Sequence, residues 1–159
     1  MLHLFTPWRL PYVMSPKAAG ECPLCAAQRA ADPAALILHR ARHNFVILNL
    51  YPYTSGHLMI VPYRHVADLT QTDAAERAEM IDLAATCQRI LEKAYHAEGF
   101  NVGMNLGKEA GAGVAGHIHM HLVPRWSGDT NFMSVVADTR VVPEDPSQSY
   151  EKLKPYFNF

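Results

Sequence analysis

The stretch Gly116–Trp126, GHIHMHLVPRW, constrains the fold more than any other part of this 159-residue chain. From His117 to Leu122, histidine and apolar residues alternate strictly. A period of two suits extended chain. In a strand His117, His119 and His121 share one face while Ile118, Met120 and Leu122 share the other, whereas a helix would scatter both sets around its axis. The segment is therefore expected to be a strand with one face in the core and one face of imidazole. At a rise of about 3.3 Å per residue, neighbouring histidines stand roughly 6.6 Å apart and the outer pair roughly 13 Å apart. Rings so spaced line a groove and do not easily close on one metal ion.

The rest of the chain supplies partners for that strand. Residues 1–20 are proline-rich and irregular and read as an arm. Cys22 and Cys25, in ECPLCAAQRA, open a possible short helix. ALILHR and FVILNL, separated by a turn at ARHN, read as a hairpin, and HLMIVP makes a third strand ended by Pro62. From Asp73 to Ala97 the pattern turns helical: Ala74, Ala78, Ile81, Ala84 or Ala85, Leu91 and Tyr95 fall on one stripe, Thr72 is placed to cap the start and Gly99 to end it. FNVGMNL is strand-like, and GKEAGAGVAG then places four glycines in ten residues before the histidines. The fold class is α+β, an antiparallel sheet of about five strands with one long helix and a short N-terminal helix. The division is an arm over 1–20, a domain over 21–135 that includes a short apolar run SVVA, and a tail over 136–159 packed on the domain.

Composition removes several classes. At 49% hydrophobic the chain can bury one real core. A formal net charge of −1 lacks the basic footprint of a protein that grips a nucleic-acid polymer. The longest apolar runs fall far short of the roughly 20 residues of a membrane span, and the N-terminal stretch, interrupted by Pro7 and Pro11, does not read as a signal peptide. With three cysteines and no export signal, a reducing cytoplasm is expected, where a close pair such as Cys22 and Cys25 more often binds metal than forms a disulfide.

The residues alone leave three readings of the histidines open. One is a half-exposed strand whose outer face happens to carry them. Another is a catalytic zinc held by a His-x-His pair, which needs a third ligand from elsewhere and leaves one histidine and both cysteines unexplained. The third is a groove for nucleophilic chemistry, for which a neutral imidazole near pH 7 is well suited.

HIHMHLV fits the His-φ-His-φ-His-φ-φ pattern of the histidine triad family of nucleotidyl hydrolases and transferases, and NFVILNLYPYTSGHLMIVPYRHV resembles the strand-loop-strand found upstream in that family. LFTPWRLPYV, CPLC and PRWSGDTNFM are similar to the bacterial branch that splits diadenosine tetraphosphate. The resemblance implies cleavage of diadenosine polyphosphates through a covalent nucleotidyl-histidine intermediate, with His119 as nucleophile, His121 facing the α-phosphate oxygens and His57 lining the phosphate site. It implies a structural zinc on Cys22, Cys25, His65 and His117. Asn49 matches a ribose-binding residue, and two protomers are expected to pair into a ten-stranded sheet. Asn105 and the loop with Lys108, Gly111 and Gly113 stand where main-chain N–H groups can cradle phosphates. Arg125 can add charge, Trp126 can stack on a base, and Cys87 reads as core. The chain departs from the family pattern at Gly113 and Val114, where a Gln or Ser side chain is usual, so a polar contact to the leaving phosphates or the acceptor is absent there or supplied by main chain. Two alternatives remain: a nucleoside phosphoramidase, and a nucleotide-binding sensor without turnover.

Overall fold

Two of the apolar runs are too continuous for half-exposed strands, and the architecture follows from that. Every residue of β2 (Asn44–Leu48) and of β3 (Leu58–Pro62) is buried. Such strands need cover on both faces. The computed structural model describes residues 20–129 and 144–159, so the arm (to residue 19) and the apolar run at 134–137 lie outside the described residues. Together with β1 (Ile37–Arg40), β4 (Gly99–Gly103) and β5 (Met120–Arg125), the two buried strands form one sheet in the order β1-β2-β3-β5-β4, with every neighbouring pair antiparallel.

On one face Val46, Leu48, Leu58, Ile60, Met120 and Leu122 pack under α3 (Ala74–Tyr95), chiefly against Met80, Leu83, Cys87 and Leu91. On the other, Phe45, Ile47, Met59 and Val61 meet Leu24 of α1 (Pro23–Arg29). A one-turn helix, α2 (Asp32–Ala35), precedes β1. Strands β3 and β5 run side by side at Met59↔His121, so the odd-numbered residues of β5 lie on the face opposite α3.

The long helix exists where its period placed it, but its phase and its caps differ from the sequence expectation. Ile81 is 57% exposed, and the buried stripe runs through Met80, Leu83, Ala84, Cys87, Ile90 and Leu91. Alanines carry little burial free energy, so the bulky side chains set the phase. The N-cap is Asp73 rather than Thr72: the Asp73 carboxylate accepts the Glu76 N–H and the Glu76 carboxylate accepts the Asp73 N–H, a reciprocal capping box. His96, with φ of 52°, ends the helix, and Gly99 instead starts β4. The tail contributes to the core through α4 (Pro146–Leu153), whose Tyr150 and Leu153, with Phe157, join the α3-side cluster.

The strand carrying the histidines is shorter than the alternation suggested. It begins at Met120, and His117 and His119 lie on its entry. The Ile118 N–H donates to the Val66 carbonyl at 2.7 Å, which ties that entry to the chain beyond β3.

Just after β3, Arg64 grips Glu76 in a forked pair, Nε to Oε1 and Nη2 to Oε2, both at 2.7 Å. The guanidinium hydrogen bonds are the chief reason the Glu76 carboxyl falls to about 2 from its ordinary 4.5. A depressed carboxylate contributes stability that is complete above pH 4.5 and lost as pH falls toward 2. Arg64→Met is therefore expected to lower stability at pH 7, by an amount that solvent screening at the half-exposed Arg64 keeps modest. In urea titrations the gap between wild type and variant should narrow by pH 3; a gap constant from pH 7 to pH 3 would contradict this role for the pair.

Candidate active site

Three imidazoles from one short segment end up with three different sets of partners. His117 turns toward the cysteines: its Nδ1 is 3.4 Å from Cys22 Sγ and 3.5 Å from Cys25 Sγ, while its Nε2 sits 2.9 Å from the Pro62 carbonyl oxygen. A carbonyl only accepts, so Nε2 carries the proton and Nδ1 offers its lone pair to the thiols. His65 Nδ1 lies 3.2 Å from Cys25 Sγ. The four donor atoms fall within 4.8 Å of one another. Burial, together with the neighbouring Cys22, pushes the Cys25 thiol up, an opposition to double ionisation that a divalent cation between the sulfurs reverses. Two thiolates and two imidazoles, one of them oriented by a carbonyl, fit a closed tetrahedral metal site.

His119 points elsewhere. Its Nδ1 lies 2.8 Å from the main-chain carbonyl oxygen of His117. That contact requires Nδ1–H and leaves the Nε2 lone pair in the ring plane, on the side away from the donor bond. The residue is 6% exposed, so that lone pair belongs to a sheltered ring.

His121 is set by a relay. The Tyr53 N–H donates to His57 Nδ1 at 3.1 Å, and Asn49 Nδ2, whose amide orientation is fixed by Oδ1 accepting the Tyr51 N–H at 2.9 Å, lies 3.3 Å from the same nitrogen. His57 therefore carries its proton on Nε2, which donates to His121 Nδ1 at 2.9 Å. The neutral His121 ring is left with its proton on Nε2. Burial first, and the neighbouring His119 second, bring the His121 pKa down to about 4. Near pH 7 this ring is a neutral hydrogen-bond donor beside an imidazole with a free lone pair; the two ring centres are 4.8 Å apart. A nitrogen with a free lone pair and an N–H donor thus stand side by side.

A cleft of about 330 Å³ opens on the β4 side of His121, lined in part by Tyr53, Thr54, Asn101, Asn105 and Arg125. Gly103 pairs with His121 across the two strands, and a Cβ there would meet nothing within 4 Å, so the wall beside the imidazole is open.

A model of the HIT domain matches residues 24–128. The chain belongs to the HIT family. It is 36% identical over 149 residues to a Mycobacterium tuberculosis protein named AP-4-A phosphorylase, spanning 89% of this chain and 76% of that relative. An asymmetrical bis(5'-nucleosyl)-tetraphosphatase of Schizosaccharomyces pombe is 29% identical over 93 residues, 58% of this chain and 50% of its own. Among solved structures, a zinc-bound histidine triad protein from Mycobacterium smegmatis superposes with a TM-score of 0.67 at 30% identity, covering 85% of this chain and 89% of that one.

The fold brings His57, His119, His121, Asn49 and Asn105 to one region and gathers Cys22, Cys25, His65 and His117 beside it. It gives other expected HIT-site residues different work. Arg125 spends its donors on Asp129, at 2.5 and 2.7 Å, and on Asn101 Oδ1 at 2.7 Å, so its charge is neutralised within the protein. Trp126, one residue further along, falls on the α3 face, where its Nε1–H donates to the Tyr95 carbonyl and closes the end of α3 rather than meeting a base. In the glycine-rich loop the Gly111 N–H goes to the Lys108 carbonyl and the Ala112 N–H to Gly107, which removes two donors from a phosphate nest; Lys108 and Gly113 remain exposed. The Tyr53 amide and Thr54 were not read from the sequence. A main-chain donor leaves no mark in residue identity, and Thr54 acts through its place in a loop. Metal analysis of purified protein is expected to find about one divalent ion per chain, and Cys25→Ser to lower both metal content and melting temperature. Metal-free protein with unchanged stability would contradict the four-ligand assignment.

Proposed function

We propose that this HIT protein cleaves diadenosine polyphosphates, with diadenosine tetraphosphate as the substrate to test first. The observation that carries the reading is the pairing of a free Nε2 lone pair on His119 with an Nε2–H donor on His121, in a member of a family whose similar relatives are named for diadenosine polyphosphate cleavage. His119 Nε2 attacks the α-phosphorus, the bond to the bridging oxygen breaks, and ATP leaves with the electron pair. His121 Nε2–H donates to a non-bridging oxygen as charge spreads, and His57 holds that donor in place. The nucleotidylated ring keeps Nδ1–H on the His117 carbonyl, which offsets its positive charge. Water or inorganic phosphate then attacks phosphorus from the face ATP vacated, releasing AMP or ADP. Asn49 keeps one amide hydrogen and one lone pair for ribose, and Asn105 and Lys108 are assigned to the phosphates.

The metal is zinc in this reading, held by Cys22, Cys25, His65 and His117, and its role is structural: it pins α1 to the chain beyond β3 and to the triad. Reduced thiols there suit the cytoplasm. No helix of the described residues is long and apolar enough to cross a membrane, and net charge gives no support to a nucleic-acid polymer as partner. The assembly is a homodimer. Support comes from β4, the open edge of the sheet, where Val102 is 52% exposed, and from α3, which exposes Ile81. Pairing of two β4 edges makes ten strands from five.

Incubation with diadenosine tetraphosphate should give ADP and ATP when phosphate is present and AMP and ATP when it is absent. No cleavage in either condition, with release of an amine from a nucleoside phosphoramidate instead, would favour the phosphoramidase; nucleotide binding without products would favour the sensor. His119→Ala is expected to lose about 10³-fold in turnover, about 4 kcal/mol of barrier, while nucleotide still binds. Sedimentation at micromolar concentration should give about twice the 17.7 kDa chain mass; the single-chain mass would contradict the dimer.

A further inference from the structure

The loop that fixes the protonation of His57 and His121 has no regular structure of its own, so something must hold it. Between β2 and β3 it contributes Asn49, the Tyr53 amide and His57. Its closing turn puts Gly56 at φ of 75° with the His57 N–H on the Thr54 carbonyl at 3.2 Å. On one side Thr54 Oγ1 donates to the Pro124 carbonyl of β5 at 3.1 Å. On the other, the last turn of α3 is pressed against Gly56. A Cβ built there would stand 3.1 Å from Leu91 Cδ2 and 3.3 Å from Tyr95 Cε2, both closer than ordinary contact. The loop is clamped between a strand and an aromatic ring.

That ring is itself held by the end of the chain. The Tyr95 hydroxyl donates to Glu144, which also accepts the Ser149 hydroxyl at 2.8 Å; Lys152 Nζ lies 3.8 Å from the Tyr95 ring centre. The Tyr95 carbonyl accepts the Trp126 indole. Burial raises the Tyr95 phenol, which keeps it protonated and donating. Tyr95 thus joins α4, β5's exit and the active-site loop, although it touches none of the triad rings.

We propose that Tyr95 is a positioning residue for the reaction: its ring backs the Gly56 turn, which keeps the Tyr53 amide on His57 Nδ1 and so leaves the His121 proton on Nε2, facing the phosphate. The proposal rests on the cleavage reading for its kinetic consequence, while its structural consequence is readable without substrate. Without the ring the turn can relax toward α3, the Tyr53 contact lengthens and His57 can take its proton on either nitrogen. His121 then presents a lone pair instead of a donor in part of the population, and a phosphate oxygen meets repulsion instead of a hydrogen bond.

The test is a ¹⁵N spectrum of the histidine rings in the metal-loaded protein near pH 7, which distinguishes protonated from unprotonated ring nitrogens. Wild type should show His57 and His121 each as a single Nε2–H tautomer. Tyr95→Phe keeps the ring and is expected to keep the wild-type spectrum. Tyr95→Leu is expected to give averaged or doubled His57 and His121 signals with His119 unchanged, and a 10- to 100-fold lower kcat on diadenosine tetraphosphate at similar KM. Tyr95→Met, which removes the flat ring but keeps a long flexible apolar side chain against the turn, is read in the same way if Tyr95→Leu does not fold, while Thr54→Val, which removes the opposite clamp, should move the same signals less. Single Nε2–H tautomers retained in Tyr95→Leu, or in Tyr95→Met when only that variant folds, would overturn the proposal, as would a Tyr95→Phe spectrum as disturbed as that of Tyr95→Leu. If the wild-type protein does not cleave the dinucleotide, the cleavage reading fails and the spectra still decide the role of Tyr95.

Discussion

The hydrogen bond from His119 Nδ1 to the carbonyl of His117, 2.8 Å long, is the contact on which the rest of the site depends. It decides which nitrogen of the central ring is free, and the residue that accepts it is held from two sides. The side chain of His117 is a member of the thiol–imidazole cluster, and its Nε2–H is bound to the carbonyl of Pro62. Ile118, next in the chain, is anchored through its N–H to Val66. Thus the peptide that aims the His119 lone pair is fixed by β3, by the chain just beyond it and by the cysteine pair of α1. Metal binding in such a cluster stabilises the folded state and the direction of one lone pair at once.

The second ring is controlled differently. His121 is not a member of the thiol–imidazole cluster; its tautomer is dictated by His57, which is dictated by a backbone amide. The two devices are complementary. A nucleophile needs a lone pair and a phosphate needs a donor, and adjacent residues of identical chemistry supply one each because their partners differ. Burial keeps His121 neutral, so it contributes a hydrogen bond rather than a full charge at neutral pH.

Period and spacing made much of this legible. Alternation predicted one core face and one imidazole face, and the ligand set that the family resemblance implied, Cys22, Cys25, His65 and His117, does gather within 4.8 Å. The apolar runs were legible as a hairpin and a third strand, and the structure adds that β2 and β3 are covered on both faces. What sequence did not reveal has physical reasons. Alanine-rich α3 carries two overlapping stripes, and only the bulk of Met80, Leu83 and Leu91 against the sheet selects between them. Arg125 looks like a free cation until Asp129 folds back onto it, and Trp126 looks like a base-stacking ring until its indole N–H is found on the Tyr95 carbonyl at the end of α3. The signal for α4 was present, Asp145 before Pro146 with Gln148 completing a capping box, but it is short and local. The donor that sets His57 is a main-chain N–H, which every residue but proline possesses.

In the proposed reaction His119 Nε2 forms the bond to phosphorus. Rapid acid-free quenching of the zinc-loaded enzyme during turnover of adenine-labelled diadenosine tetraphosphate, followed by alkaline digestion and peptide mapping, tests it directly. The predicted result is one labelled adenylate on the peptide containing residues 117–122, bonded to His119, stable to alkali and lost in acid. Steady turnover with no trapped label, or label on His121 with His119 unmodified, would contradict the assignment.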